Sequence, residues 1–132
     1  MAMRMKITTA NYGLDSFLDD LFPASSILEV YADTIPTDAD TAVGAQTLLA
    51  SITTPATPWA AANARSKAKQ NTWSDPTADG GSATAPTWCR LKNAADNERL
   101  DYTAAVGSGD ISFDGSITAG QVVTISSLAI TG

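Results

Sequence analysis

Residues 85–132 constrain the fold of this chain more than any other stretch: APTWCRLKNAADNERLDYTAAVGSGDISFDGSITAGQVVTISSLAITG. Runs with apolar residues at alternate positions are cut by Gly, Asp, Asn and Ser. That is the pattern of short strands half buried on one face, a β-meander. In 87–93, Trp88, Arg90 and Lys92 fall on one side and Cys89 and Leu91 on the other. In 121–131, Val122, Thr124, Ser126, Leu128 and Ile130 oppose Val123, Ile125 and Ser127. Apolar residues on both sides predict a strand inside a sheet. Trp88, Leu91, Phe113, Ile125 and Leu128 are the expected scaffold of this part.

The rest of the chain adds one helix and several more strands. Residues 1–10 carry no turn signal and read as an extended arm, in which Lys6, Ile7, Thr8 and Thr9 could extend the sheet of a neighbour. In 11–22, Leu14, Phe17, Leu18, Leu21 and Phe22 recur at helical spacing, with Asp15, Asp19 and Asp20 off that stripe. Pro23 ends the helix, because the residue before a proline is pushed out of the α region. Strands are expected over 27–31, 46–53, 87–93, 98–103, 111–113 and 121–131. Residues 60–70 have alanine-rich helix propensity, but Arg65, Lys67 and Lys69 alternate with Ala64, Ser66 and Ala68. The alternation predicts an edge strand with its cations facing out, continued or paired by 72–73. Asp114-Gly115 predicts a hairpin, and Ala119-Gly120 a second turn.

These elements suit an all-β fold: an antiparallel β-sandwich with one short N-terminal helix. The division is an extended arm over 1–10 and a single sandwich domain over 11–132 that includes the helix 11–22. With three each of Trp, Tyr and Phe, the core is expected to be thin, and thin cores are often completed by neighbours in an assembly.

Composition narrows the chemistry. A formal charge of −6 argues against sequence-independent nucleic-acid binding, which needs a positive surface. No run of apolar residues is long enough for a membrane helix, and the N-terminus lacks the apolar core of a secretory signal. The absence of histidine removes the commonest general base and metal ligand. The single cysteine, Cys89, beside Trp88 in a strand, is expected to pack as a small hydrophobe. Asp33, Asp38 and Asp40 share one loop and are the weak candidates for a hard cation, although their spacing matches no EF-hand and aspartate is a common turn residue. Asp96, Glu98, Asp110 and Asp114 occupy turn-like positions, unsuited to a pair of acids across a glycosidase cleft. The glycine-rich 105–110 matches no phosphate-binding pattern. No catalytic residue, cofactor or metal is expected. Partner contacts are assigned to Arg4, Lys6 and Ile7 in the arm and to Arg65, Lys67 and Lys69 in the basic strand.

From Ile27 onward the segments come in an ordered series. First is ILEVYADTIPTDADTAVGAQTLLASI; then Ala61-Ala62-Asn63 and the strand around 69–73. The small-residue run 78–85 follows, leading into Trp88-Cys-Arg-Leu91. The series ends with the Gly-Ser-Gly-Asp loop, Ser116-Ile-Thr-Ala-Gly120 and the Val-Thr-Ile-Ser-Ser-Leu-Ala-Ile strand. In order and spacing this series resembles a family of small structural proteins of tailed bacteriophages and prophages. Two features depart from that family: the cations Arg65, Lys67 and Lys69 in place of a more apolar run, and a turn over 94–97 without glycine.

The resemblance implies an all-β virion protein without a catalytic role. The expected function is capsid decoration, clamping neighbouring subunits of the major capsid protein or other virion proteins. The expected state is a homo-oligomer, taken as a trimer, made in the host cytoplasm and carried on the virion head. A neck or tail position is one alternative. A surface carbohydrate-binding module is another, with Trp59 and Trp73 as the rings to stack on sugars.

Overall fold

The structure, a computed structural model, describes residues 6–131. Its single helix, α1 (Ile7–Leu21), starts four residues earlier than the sequence pattern suggested. Lys6 is extended, and residues 7–10, expected in the arm, form the first helical turn. Ala10, Leu14, Leu18 and Phe22 are buried along one stripe, and their packing outweighs the poor helix propensity of Thr8 and Thr9. Phe17, expected on the buried stripe, lies at its margin and is 37% exposed. The Phe22 N–H closes the helix on the Leu18 carbonyl at 3.0 Å, just before Pro23.

Nine strands follow: β1 (Ile27–Tyr31), β2 (Leu48–Thr53), β3 (Ser66–Ala68), β4 (Trp73–Asp75), β5 (Trp88–Lys92), β6 (Arg99–Val106), β7 (Ile111–Phe113), β8 (Val123–Ile125) and β9 (Ala129–Thr131). The protein is mainly β. One curled sheet has the order β2-β1-β5-β6-β7, and two pairs, β3-β9 and β4-β8, stand beside it. The expectation of a wholly antiparallel sheet fails at one place, because β7 runs parallel to β6. Asp110 explains the turn-back. Its carboxylate accepts from the Thr103 N–H at 3.1 Å and hydroxyl at 2.9 Å, and so pulls the returning chain alongside β6. Gly109, with φ +87°, sits where a Cβ would be 3.0 Å from the Ala104 Cα, so the crossing requires glycine.

Three further expectations are corrected. Residues 60–70 are a hairpin rather than one strand. Asn63 and Ser66 exchange both backbone hydrogen bonds, at 2.8 and 2.9 Å, across Ala64 and Arg65, which both have positive φ. Two consecutive left-handed residues make the tight turn that matches strand twist, normally written with Asn or Gly, and neither is present at these two positions. The stretch 121–131 is two strands in different sheets, parted at Ser126-Ser127. Asp114-Gly115 makes no hairpin, since β7 and β8 are not hydrogen bonded to each other. The turn at Ala119-Gly120 forms as read, with Gly120 at φ +86° and the Gln121 N–H on the Thr118 carbonyl.

The core lies inside the curl. Leu28, Val30, Ala50, Ile52, Cys89 and Leu91 form the inner face of the large sheet, packed with Trp59, Trp73, Phe113, Ile125 and Leu128. Leu18 and Phe22 bring the helix into the same cluster. Trp59 and Trp73 meet edge to face, with ring centroids 5.1 Å apart, and the Trp59 Nε1–H donates to the Phe22 carbonyl at 3.0 Å.

Candidate functional site

The outer face of the large sheet carries the densest group of charged and aromatic side chains among the described residues. Strand register puts them there. Glu29, Arg90 and Asp101 are direct cross-strand neighbours on β1, β5 and β6, and Tyr31 and Trp88 form the next rung. The Tyr31 and Trp88 rings stack at 4.5 Å, and the Arg90 guanidinium lies 5.4 Å from the Trp88 ring centroid. Arg90 grips Asp101 with two bonds, Nε to Oδ1 at 2.7 Å and Nη2 to Oδ2 at 3.0 Å. Lys92 reaches Glu29 at 3.2 Å. Arg99 makes a similar two-bond grip on Asp96, at 2.8 and 3.1 Å, and also donates to the carbonyls of Ala39 and Asp40.

The loop 33–47 runs against this face. A cleft of about 260 Å³ remains, lined by Glu29, Tyr31, Val43, Arg90, Lys92 and Arg99 among others. The hydrogen bonds that Arg90 donates to Asp101 hold its charge more firmly than usual, against the opposing effect of burial. Burial, followed by the charge of Glu29, pushes the Tyr31 phenol up, so it stays protonated at neutral pH. The Arg99 guanidinium holds the Asp96 carboxyl below the usual carboxylate range. Each cation of the cleft is matched by a carboxylate, which gives a rigid, nearly neutral polar surface suited to shape recognition rather than to proton transfer.

Sequence reasoning missed this group. The alternation set Trp88, Arg90 and Lys92 on one side of a strand and Trp88 in the scaffold, but it did not bring Arg90 together with Glu29 and Asp101. Trp88 is buried, as expected of a scaffold residue, and Arg90, which donates to the Asp38 carbonyl of the loop 33–47, is only 2% exposed.

The residues singled out from sequence are not brought together. The Asp33 carboxylate accepts from the Thr47 N–H and hydroxyl, and Asp38 accepts from the N–H and hydroxyl of Thr41, whose hydroxyl lowers the Asp38 pKa. Asp40 offers its carbonyl to Arg99. These aspartates brace the loop, and among the described residues no three His, Cys, Asp or Glu side chains are gathered to hold a metal ion.

The basic stripe is also corrected. Lys67 is 1% exposed and points at the helix, donating to Asp15 Oδ1 at 2.6 Å and to the Ala60 carbonyl at 2.8 Å, with Asp19 at 3.2 Å. Lys69 lies 6.0 Å from the Trp73 ring centroid and donates to the Asn71 carbonyl. Arg65 occupies the hairpin turn, with its N–H on Asn11 Oδ1 at 2.9 Å.

In the expected arm, Lys6 and Ile7 belong to the start of the helix, where Ile7 is 51% exposed, and they cannot extend a sheet there. Arg4 lies outside the described residues. Trp59 and Trp73, offered as sugar platforms, are 4% and 0% exposed, so neither ring can stack on a ligand. Cys89 is fully buried, and burial pushes its thiol up, as expected of a core residue. No described helix is long and apolar enough to cross a membrane.

Comparison with protein-family models, curated proteins and solved structures finds no match to this chain.

Proposed function

We propose that the protein is a non-enzymatic structural protein of a bacteriophage virion: a capsid decoration protein that stabilises the head by binding neighbouring capsid subunits. The observation that carries this reading is the ordered series of family-like segments from Ile27 to Ile130. On this reading the curled sheet and the two small sheets are the layers of a β-sandwich, and α1 covers one end of its core.

The way the side chains are used supports a binding rather than a chemical task. Arg90, Arg99, Lys92 and Lys67 are each engaged by carboxylates of the same chain. All three tryptophans are in the interior. A surface built this way recognises a partner by shape and by many weak contacts, which a symmetric shell multiplies. Tyr12, at 76% exposed, is the most exposed large hydrophobic side chain among the described residues and a natural contact point.

The test is to add purified protein to heads assembled without it. Saturable binding and greater resistance of the heads to heat are expected. Binding to isolated necks or tails in place of heads would move the protein to those positions, and binding to none of them would refute a virion role.

A further inference from the structure

The chain contains two Asp-Gly pairs, Asp79-Gly80 and Asp114-Gly115. An aspartate followed by glycine is open to attack by its own main chain. The next amide nitrogen can close on the side-chain carboxyl carbon, and glycine has no Cβ to crowd that nitrogen or to restrict its backbone. Ring closure needs both residues to turn, and the fold treats the two pairs in opposite ways.

Asp79-Gly80 is locked. The N–H groups of Asp79 and Gly80 both donate to the Leu49 carbonyl, at 2.9 and 3.3 Å. A Cβ on Gly80 would stand 2.6 Å from the Leu48 carbonyl oxygen, so the pair is packed directly against β2. Just before it, Ala78 is buried and its N–H donates to the Gln121 carbonyl at 2.8 Å. The nitrogen that would attack is thus engaged in a hydrogen bond and pressed on a strand.

Asp114-Gly115 is loose between two fixed points. On one side, the Phe113 carbonyl at the end of β7 accepts from the Gly107 N–H at 3.0 Å. On the other, Ile117 and Thr84 exchange both backbone hydrogen bonds, at 2.8 and 2.9 Å. Among the described residues, nothing is hydrogen bonded to the main chain of 114–116 or to the Asp114 carboxylate. Asp114 is exposed, and a Cβ on Gly115 would meet nothing within 4 Å. Both residues border a cleft of about 270 Å³ that also touches Val122 and Val123, which leaves room for them to turn.

We infer that Asp114-Gly115 is a modification site, at which the folded protein isomerises its own backbone from aspartate to isoaspartate. The Gly115 nitrogen bonds to Asp114 Cγ. The amide proton and the carboxyl hydroxyl leave together as water, and a five-membered succinimide closes. Water then adds to one of the two ring carbonyls. Opening at Cγ restores aspartate. Opening at the former backbone carbon routes the main chain through Cβ and leaves the carboxylate on Cα. One water leaves and one returns, nothing is oxidised or reduced, and the charge of the residue is kept. The main chain becomes one methylene longer. Because Phe113 and Ile117 are held, residues 114–116 take up the added length at the edge of the cleft. This inference does not depend on the virion reading.

The test is to hold the purified, folded full chain at neutral pH in water enriched in oxygen-18 and to map isoaspartate by mass spectrometry. Each passage through the succinimide takes up one heavy oxygen. Tryptic cleavage separates the two pairs, because peptide 70–90 holds Asp79 and peptide 100–132 holds Asp114. Label and isoaspartate are expected at Asp114 about tenfold faster than at Asp79 or more, since Gly80 must first lose its hydrogen bond. In denaturant the two pairs should react alike. Asp114→Glu, which would have to close a six-membered ring, should abolish the label at this position. Gly115→Ala should slow it with the melting temperature unchanged, because the position has room for a Cβ. Equal rates at the two pairs in the folded protein, faster reaction at Asp79, or no isoaspartate at Asp114 would overturn the inference.

Discussion

Two buried cations, Arg90 and Lys67, hold this protein together in different ways. Arg90 is 2% exposed and its partner Asp101 is 11% exposed, both on strands of one sheet and opposite each other in register. Lys67 is 1% exposed, but its partners Asp15 and Asp19, on the helix, are 41% and 54% exposed. The first pair is buried on both sides and the second on one. Arg90 is therefore part of the sheet, whereas Lys67 is a latch that fixes the helix to the hairpin.

The difference predicts an asymmetry that mutagenesis can break. Removing either member of the sheet pair leaves a buried charge without its counter-ion, at a cost of about 3–5 kcal/mol. Arg90→Met and Asp101→Ala should destabilise the protein comparably in denaturant unfolding. If Arg90→Met were neutral, the loop 33–47 would have to admit water to Asp101 freely, and the contrast with the latch would vanish.

At the latch the two sides should not be equivalent. Asp15→Ala combined with Asp19→Ala strands a buried ammonium with only the Ala60 carbonyl, at a cost of about 3 kcal/mol. The change should also expose the Ala62 N–H, which Asp15 accepts at 2.8 Å. Lys67→Met leaves two carboxylates that water can solvate and puts an apolar chain in an apolar site. Its cost should be about 1 kcal/mol or less, as for an exposed ion pair. Equal effects from the two sides would show that the acids are less solvated than their exposure indicates.

The same contrast explains what could be read from the chain. Strands β1 and β5, the helix stripe Leu14-Leu18-Phe22 and the burial of Cys89 follow from local periodicity, which is a property of neighbouring residues. The direction of Lys67 does not. It is set by Asp15 and Asp19, some fifty positions earlier, and alternation alone shows which residues share a side but not whether that side meets solvent or a helix. The burial of Arg90 was not legible for a related reason: the loop that covers it is irregular and leaves no periodic trace. The parallel return of β7 depends on one Asp110–Thr103 contact and one glycine. The hairpin turn at Ala64-Arg65 uses residues that give no turn signal at all. Asp114-Gly115 carries a hairpin signal, yet β7 and β8 do not pair, because β7 is held alongside β6.

A smaller effect tests how finely the helix is seated. Asn11, Asp15 and Asp19 are spaced by four along α1, and Asn11 accepts from the Arg65 N–H. Asn11→Ala removes one neutral hydrogen bond to a turn that water can reach, so a loss of about 0.5–1.5 kcal/mol is expected. Hydrogen exchange at the Arg65 amide should rise in this variant, with the exchange of β5 and β6 unchanged. A matching rise in β5 would mean that helix and sheet open together and that the latch is not a separate unit.

The smallest effect expected is in acid. The hydrogen bond from Lys67, followed by that from the Ala62 N–H, holds the Asp15 carboxyl below its ordinary value of 3.8. A depressed carboxylate contributes stability that is complete above the unfolded value and is lost as pH falls through the folded one. The Asp15 contribution should therefore be constant from neutral pH to about 4 and fade only below that. Because Asp15 is partly exposed, solvent screens the interaction, and the change should be modest and reduced further by salt. The difference in stability between the wild type and Lys67→Met, followed by denaturant unfolding, should shrink as the pH drops below about 4. A difference that stayed constant through this range would show that Lys67 acts by packing its methylene chain and not through its charge.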